Sequence, residues 1–270
     1  HTTGWMPGDI KGAFLSDTDD TDLVGSGELV TNGDFATDTS GWSNTSATIA
    51  SVSGELQLSN QTGSPSATTQ TLSGLVVGKV YAVTATYSQT GTGGTAARVS
   101  FFGVNSGNNS TSTPVTKTIY ATATQTTATL SLQSFGTSST VSHFDNISVK
   151  LADADRSVNA NGLIVNGTVT RSPVATGADL VAYSGFSPSN YLEQPYNPDL
   201  DFGTGDFCYM GWLTSGSTPL SVVFSRGDGT QTNTNDAVVG SISAGGTLMY
   251  RHYDASGTLV TTVSGTTNVP

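Results

Sequence analysis

Over many short stretches of this chain, apolar and polar residues alternate with period two, and clusters of Gly, Asn and Ser separate the stretches. Alternation of this kind buries one face of a strand and leaves the other to solvent, whereas a helix needs an apolar residue every three or four positions. Between residues 27 and 151 the pattern runs through "ATIASV", "GELQLS", "VYAVTATY", "ARVSFF", "TATLSL" and "NISVKL". It resumes after residue 179 in "LVAYSGF", "NYLEQP", "DFCYMGWL", "SVVFSR", "DAVVGSI", "TLMYRHY" and "TLVTTV". A spacing of roughly ten residues with turn clusters between strands predicts an all-β chain of two consecutive β-sandwich, or jelly-roll, domains.

The alternation also assigns faces. In "VYAVTATY" it turns Tyr81, Val83, Ala85 and Tyr87 toward a core and Ala82, Thr84 and Thr86 away from it. In "ARVSFF" it turns Val99 and Phe101 inward and Arg98, Ser100 and Phe102 outward. The domain layout that follows has an N-terminal segment and acidic linker over 1–26 and a first sandwich over 27–151. A linker with a leading strand covers 152–179, and a second sandwich covers 180–270. The chain opens on His1 without a leader and stops at Pro270, which reads as a piece of a longer polypeptide.

Composition supports strands and narrows the partners. Thirty-two glycines punctuate turns, and only 11% of residues are charged. Nine basic residues against twenty acidic ones leave a formal charge of −11. Nucleic-acid binding needs a basic stripe to meet phosphates, and anionic membrane surfaces also select basic patches, so neither partner is expected. No apolar run is long enough to insert in a membrane. The lone cysteine, Cys208, excludes an internal disulfide, and its place in "DFCYMGW" predicts a buried, inert thiol.

Catalytic chemistry finds little to work with. Ser-type hydrolysis needs nucleophile, base and acid together, yet the histidines are only His1, His143 and His252, and no Gly-x-Ser-x-Gly elbow exists. Glycoside hydrolysis needs two facing carboxylates, but Glu28, Glu55 and Glu193 stand apart. Asp199 and Asp201, alternate residues beside Pro198, are read as turn caps. "DTDDTDLVGSGE" superficially resembles a calcium loop, but Asp22 replaces the required Gly, so it reads as a solvated acidic linker. The Arg226-Gly227-Asp228 tripeptide is read as a turn between strands.

Two stretches carry resemblances. "ELVTNGDFATDTSGW", through Asn32, Gly33, Phe35, Gly41 and Trp42, and "FDNISVKL", through Phe144, Asp145, Asn146 and Ile147, resemble the carbohydrate-binding modules of the family 4/9/22 type. Gly78 and Tyr81 match that family's middle strand. The resemblance covers residues 28–151 and implies a galactose-binding-like jelly roll. It further implies a structural calcium near Asp145, although Ala36 stands where the family has a Glu ligand; the other reading has Asp145 capping a turn. Tyr191, Leu192, Leu200, Asp201, Phe202, Asp206, Phe207 and Trp212 make the second stretch similar to laminin-G/concanavalin A-like sandwiches. That family's later Trp-His-x-Val strand does not arrive before Pro270, so the resemblance implies a truncated second sandwich. The pair together is similar to marine bacteriophage tail-fibre proteins.

These resemblances imply a non-enzymatic virion component, a tail fibre that binds host-surface glycans alongside other copies of the chain. The alternatives are an accessory carbohydrate-binding region of a secreted polysaccharide-degrading enzyme or adhesin, and a purely structural fibre or decoration protein. Aromatic faces stack on sugar rings while amides hydrogen-bond the hydroxyls. The carbohydrate-contact candidates are accordingly Trp42, Phe102, Asn105, Asn108 and Asn109. Trp42 has a second reading as a core lid, since large aromatics near sandwich corners pack inward.

Overall fold

The computed structural model describes residues 20–59, 62, 65–92, 96–155, 157, 159–176, 178, 180–197, 208, 209, 211, 213, 221–226, 238–243, 245–254 and 257–268. Asp17 and Asp19 of the acidic linker, the turn-cap pair Asp199 and Asp201, Gly227 and Asp228 of the tripeptide, and Leu200, Phe202, Asp206, Phe207 and Trp212 lie outside those residues. The chain divides into two compact units, His1–Asp201 and Phe202–Pro270.

Among the described residues every strand pair is antiparallel and the chain is all-β, consistent with two consecutive sandwich-like domains. The strands of the first unit run β1 (Leu23–Val24), β2 (Ser43–Thr45), β3 (Thr48–Val52), β4 (Glu55–Ser59), β5 (Ser66–Ser73), β6 (Val80–Gly91), β7 (Ala97–Phe101) and β8 (Val104–Asn105). They continue as β9 (Val115–Thr122), β10 (Thr127–Ser134), β11 (Thr140–Asp153), β12 (Leu163–Asn166), β13 (Thr168–Pro173), β14 (Val181–Ser184) and β15 (Tyr191–Glu193). One sheet has the order β2-β5-β10-β7-β8. The facing sheet is built on β11, which pairs with β6 on one side and with β4 and β12 on the other; β9 lies outside β6, β3 outside β4 and β15 outside β12.

The core between these sheets is the one that alternation predicts. Tyr81, Val83, Ala85 and Tyr87 are buried, and they share a cluster with Leu56, Leu58, Phe144 and Val149 from their own sheet. Leu72, Val99, Phe101, Leu130 and Leu132 meet them from the other sheet. Each Val, Leu or Phe among them, moved fully from water, contributes about 1.5–3 kcal/mol.

Residues 22–26, at the end of the N-terminal segment, are bound rather than solvated. β11 carries a bulge between Asp145 and Ser148, with Asn146 at φ 52°, and β4 and β12 leave a gap between them along its edge. Residues 25–33 fill that gap. Leu29 N–H donates to Val149 O, and Val149 N–H donates to the Glu28 carboxylate, which also takes Ser148 Oγ and Val30 N–H. Ile147 N–H donates to Gly33 O, at so close an approach that a Cβ on Gly33 would lie 2.1 Å from Ile147 O. Leu23 and Val24 pair with Val169 and Thr168, and Asp22 accepts from Arg171 N–H.

Residues 163–193 were expected to divide between a linker and the second sandwich; instead their strands join the first unit. β12 continues the β11 sheet, β15 pairs with β12, and β13 and β14 form a small sheet with β1. In the second unit β16 (Ser221–Arg226), β17 (Val238–Ile242), β18 (Thr247–Tyr253) and β19 (Leu259–Asn268) form one four-stranded sheet among the described residues. Tyr209 stacks on Phe224 at 4.1 Å, and a Cβ on Gly240 would meet the Phe224 ring at 2.2 Å. Cys208 corrects the sequence reading: its thiol is exposed and lies outside any strand.

Candidate functional site

The stretch 28–42, which begins the family resemblance, forms a closed corner. Asn32 takes φ 52° and Phe35 φ 47°, and these left-handed residues turn the chain back twice within four positions. Asn32 Nδ2 donates to Asp38 O, Asp38 Oδ1 and Ser40 O, while Gln70 bridges the corner by donating to Thr31 O and Gly41 O and accepting from Thr31 N–H. Trp42 is 7% exposed, with its ring on Phe35 at 5.6 Å and its indole N–H donated to Asn32 O. A ring so enclosed offers no face to a sugar, so of the two readings of Trp42 the core lid holds.

The other candidate contacts sit on one loop. After β7 the chain turns at Phe102 (φ 46°) and Gly103, returns through β8, and runs on to Asn109. Asn109 is also a correction. It is 7% exposed and its amide donates to Tyr87 O and Thr113 O while accepting from Thr111 N–H and Oγ1. Tyr87, otherwise a core residue, donates its hydroxyl to Ser106 O and Gly107 O from beneath; burial pushes that phenol above its ordinary pKa, against the Ser106 contact. Ser106 Oγ accepts from Val99 N–H. The loop is thus held at three points, and what it presents is Asn105, Asn108, Val104 and the partly exposed ring of Phe102, packed edge-on against Phe101 at 4.7 Å. Phe102 does not follow the outward alternation of β7, because it lies just past the strand's end, where the turn packs it partly against the core.

Asp145 lies at the start of the β11 bulge with both oxygens engaged, one by Asn146 N–H and the other by Asn146 Nδ2, each at 2.7 Å. Burial is the main cause raising its carboxyl above the usual range, and Glu55 and Asp34 add to it against the Asn146 contact. Among the described residues no group of three or more His, Cys, Asp or Glu side chains is placed to hold a metal ion. Asp145 as placed caps its own bulge.

The sequence reading missed a polar line on the outer face of the same sheet. His143 Nδ1 meets Glu55 Oε2 at 3.1 Å, and Nε2 meets Thr90 Oγ1 at 2.8 Å. The signal was there, since Glu55 and His143 both occupy outward positions of alternating strands and form a cross-sheet set with Thr90 once β4, β11 and β6 are adjacent. Hydroxyl, imidazole and carboxylate in that order mimic a hydrolytic triad. The hollow beside His143 and Glu55 holds only about 10 Å³, room for one water and no substrate. Alongside it Thr84 and Thr86 hydrogen-bond across to Thr118 and Thr116, which makes this a flat hydroxyl-lined face.

No protein-family model matches this chain, and no curated protein matches it. Among solved structures it is similar to a protein described as "CBM4 structure and function", at 15% identity and TM-score 0.36, over 45% of this chain and 98% of that one. It is similar to the CBM22-1 xylan-binding domain from Paenibacillus barcinonensis Xyn10C at 13% identity and TM-score 0.34, over 52% and 97% of the two chains. It is also similar to the enzymatically active domain of tailspike protein 4 of bacteriophage CBA120 at 16% identity and TM-score 0.36, over 46% of this chain and 21% of that one.

Proposed function

We propose that the first unit binds glycans without turning them over, as an accessory region of a larger extracellular protein such as a polysaccharide-degrading enzyme or an adhesin; a virion tail fibre is the other setting for the same activity. The observation that carries this reading is the pinned 102–109 loop. Tyr87, Asn109 and Ser106 hold its backbone, so Asn105 and Asn108 are presented with the backbone part of the ordering cost already met. An amide offers both a donor pair and an acceptor to vicinal hydroxyls, and the exposed part of Phe102 adds an apolar patch. Single contacts of this kind are weak and gain strength by repetition along a polymer.

The intact chain on a glycan microarray tests the proposal. Wild type is expected to bind at least one polysaccharide with avidity-dependent affinity, and a Phe102→Ala/Asn105→Ala/Asn108→Ala variant to lose about tenfold while still unfolding cooperatively, its melting temperature lowered by the lost packing of Phe102 on Phe101. One observation favours a second reading as a purely structural module: the outer face of the β11 sheet is a threonine ladder whose hydroxyls pair with each other. Absence of wild-type binding to every glycan on the array would select that reading. The open reading frame around the chain distinguishes enzyme or adhesin from fibre.

A further inference from the structure

The strands appended after β11 carry a second constellation that the sequence reading did not single out. In β15 the alternation "YLE" sends Leu192 down onto the main core and puts Tyr191 and Glu193 on the opposite face. The register with β12 sets Tyr191 directly across from Asn166, and Glu193 across from Ile164. Asn166 Nδ2 donates to Glu193 Oε2 at 3.2 Å, which joins amide and carboxylate on the face that Tyr191 shares. Tyr191 is 42% exposed, and Phe186, 56% exposed, stands at the other foot of the tight turn closed by the Ser187–Asn190 bridge.

This arrangement is rigid. Asn190 accepts from Thr168 N–H through its side chain, and the approach is so close that a Cβ on Gly167 would fall 2.1 Å from Asn190 Oδ1. Gln194, just beyond Glu193, donates to Tyr120 OH, whose phenol burial pushes up to about 12. Val165 and Leu192 hold the underside of the ribbon to the core.

We infer that Tyr191, Asn166 and Glu193 form a second sugar subsite, specific for neutral pyranosides. An exposed ring supplies a stacking face. The amide–carboxylate unit beside it supplies acceptors and a donor for two adjacent hydroxyls, and directly opposed cross-strand residues lie about 5 Å apart, the scale of one sugar ring. A carboxylate in the subsite, on a chain of formal charge −11, repels uronates and sulfated sugars and so selects uncharged ones. The inference rests on the proposed glycan binding and adds a location and a charge class to it.

The test uses the intact chain in affinity electrophoresis through gels containing xylan, mixed-linkage β-glucan or alginate. Wild type is expected to be retarded by a neutral polymer and not by alginate. Tyr191→Ala and Glu193→Gln are expected to weaken that retardation about tenfold with melting temperature unchanged, because one of two linked sites is lost. Retardation unchanged in both variants overturns the subsite while leaving glycan binding by the 102–109 loop standing. Retardation abolished by Tyr191→Ala but unaffected by the triple loop variant supports the subsite and removes the loop. A preference for alginate overturns the charge argument, and no retardation of wild type by any polymer overturns both subsite and glycan binding.

Discussion

Asn109 separates a ligand contact from a structural residue with one substitution. In Asn109→Ala the carbonyls of Tyr87 and Thr113 lose their amide donor and Thr111 N–H loses its acceptor, all at a position 7% exposed. At about 1 kcal/mol for each neutral hydrogen bond lost, and more where water cannot replace it, the change costs about 3 kcal/mol. For a unit of this size that lowers the melting temperature by about 6–12 °C. Asn109→Asp is expected to cost more, because it points a carboxylate at the two carbonyls that the amide now feeds. The assay is thermal unfolding by tryptophan fluorescence in a Trp5→Phe/Trp212→Phe background, which leaves Trp42 as the reporter of the first unit. A melting temperature within 2 °C of the parent, together with lost glycan binding, would refute the reasoning and restore Asn109 as a sugar contact.

Trp42→Phe removes one indole hydrogen bond and is expected to cost about 1 kcal/mol, whereas Trp42→Ala opens a cavity on Phe35 and costs about 3–5 kcal/mol; urea unfolding measures both. Asp145 has a raised carboxyl, so its ionised form burdens the folded state at neutral pH and the burden disappears as pH falls below the ordinary 3.8. Asp145→Asn, which keeps an acceptor for Asn146, is therefore expected to raise the melting temperature at pH 7 and to match wild type near pH 3. If instead calcium stabilises wild type over an EDTA control and Asp145→Asn abolishes that gain, the cap reading of Asp145 is wrong. Cys208 is expected to react with a thiol reagent in the native state at nearly the denatured rate, since it is exposed; protection by more than about tenfold would contradict that placement.

What alternation encodes is local: which residues of a strand share a side, and where turns interrupt. That sufficed for the all-β class and for the inward set Tyr81, Val83, Ala85 and Tyr87, because period two holds whatever the strand's partner is. It could not say which sheet a strand joins. "LVAYSGF" and "NYLEQP" repeat at the spacing of the second series, yet they close the first unit, because Tyr183 and Leu192 find their burial on its core. Nor does a residue type disclose its direction at a turn. Trp42 and Asn109 have the chemistry of sugar contacts, and tertiary packing spends both inside, one as a lid on Phe35 and the other as a hydrogen-bond hub beneath a loop. The line through Glu55, His143 and Thr90 and the face shared by Asn166, Tyr191 and Glu193 each draw on strands far apart in the chain. The chain alone settled strand faces because they depend on neighbours two residues away; sheet membership and site composition depend on long-range register, which exists only once the sheets have formed.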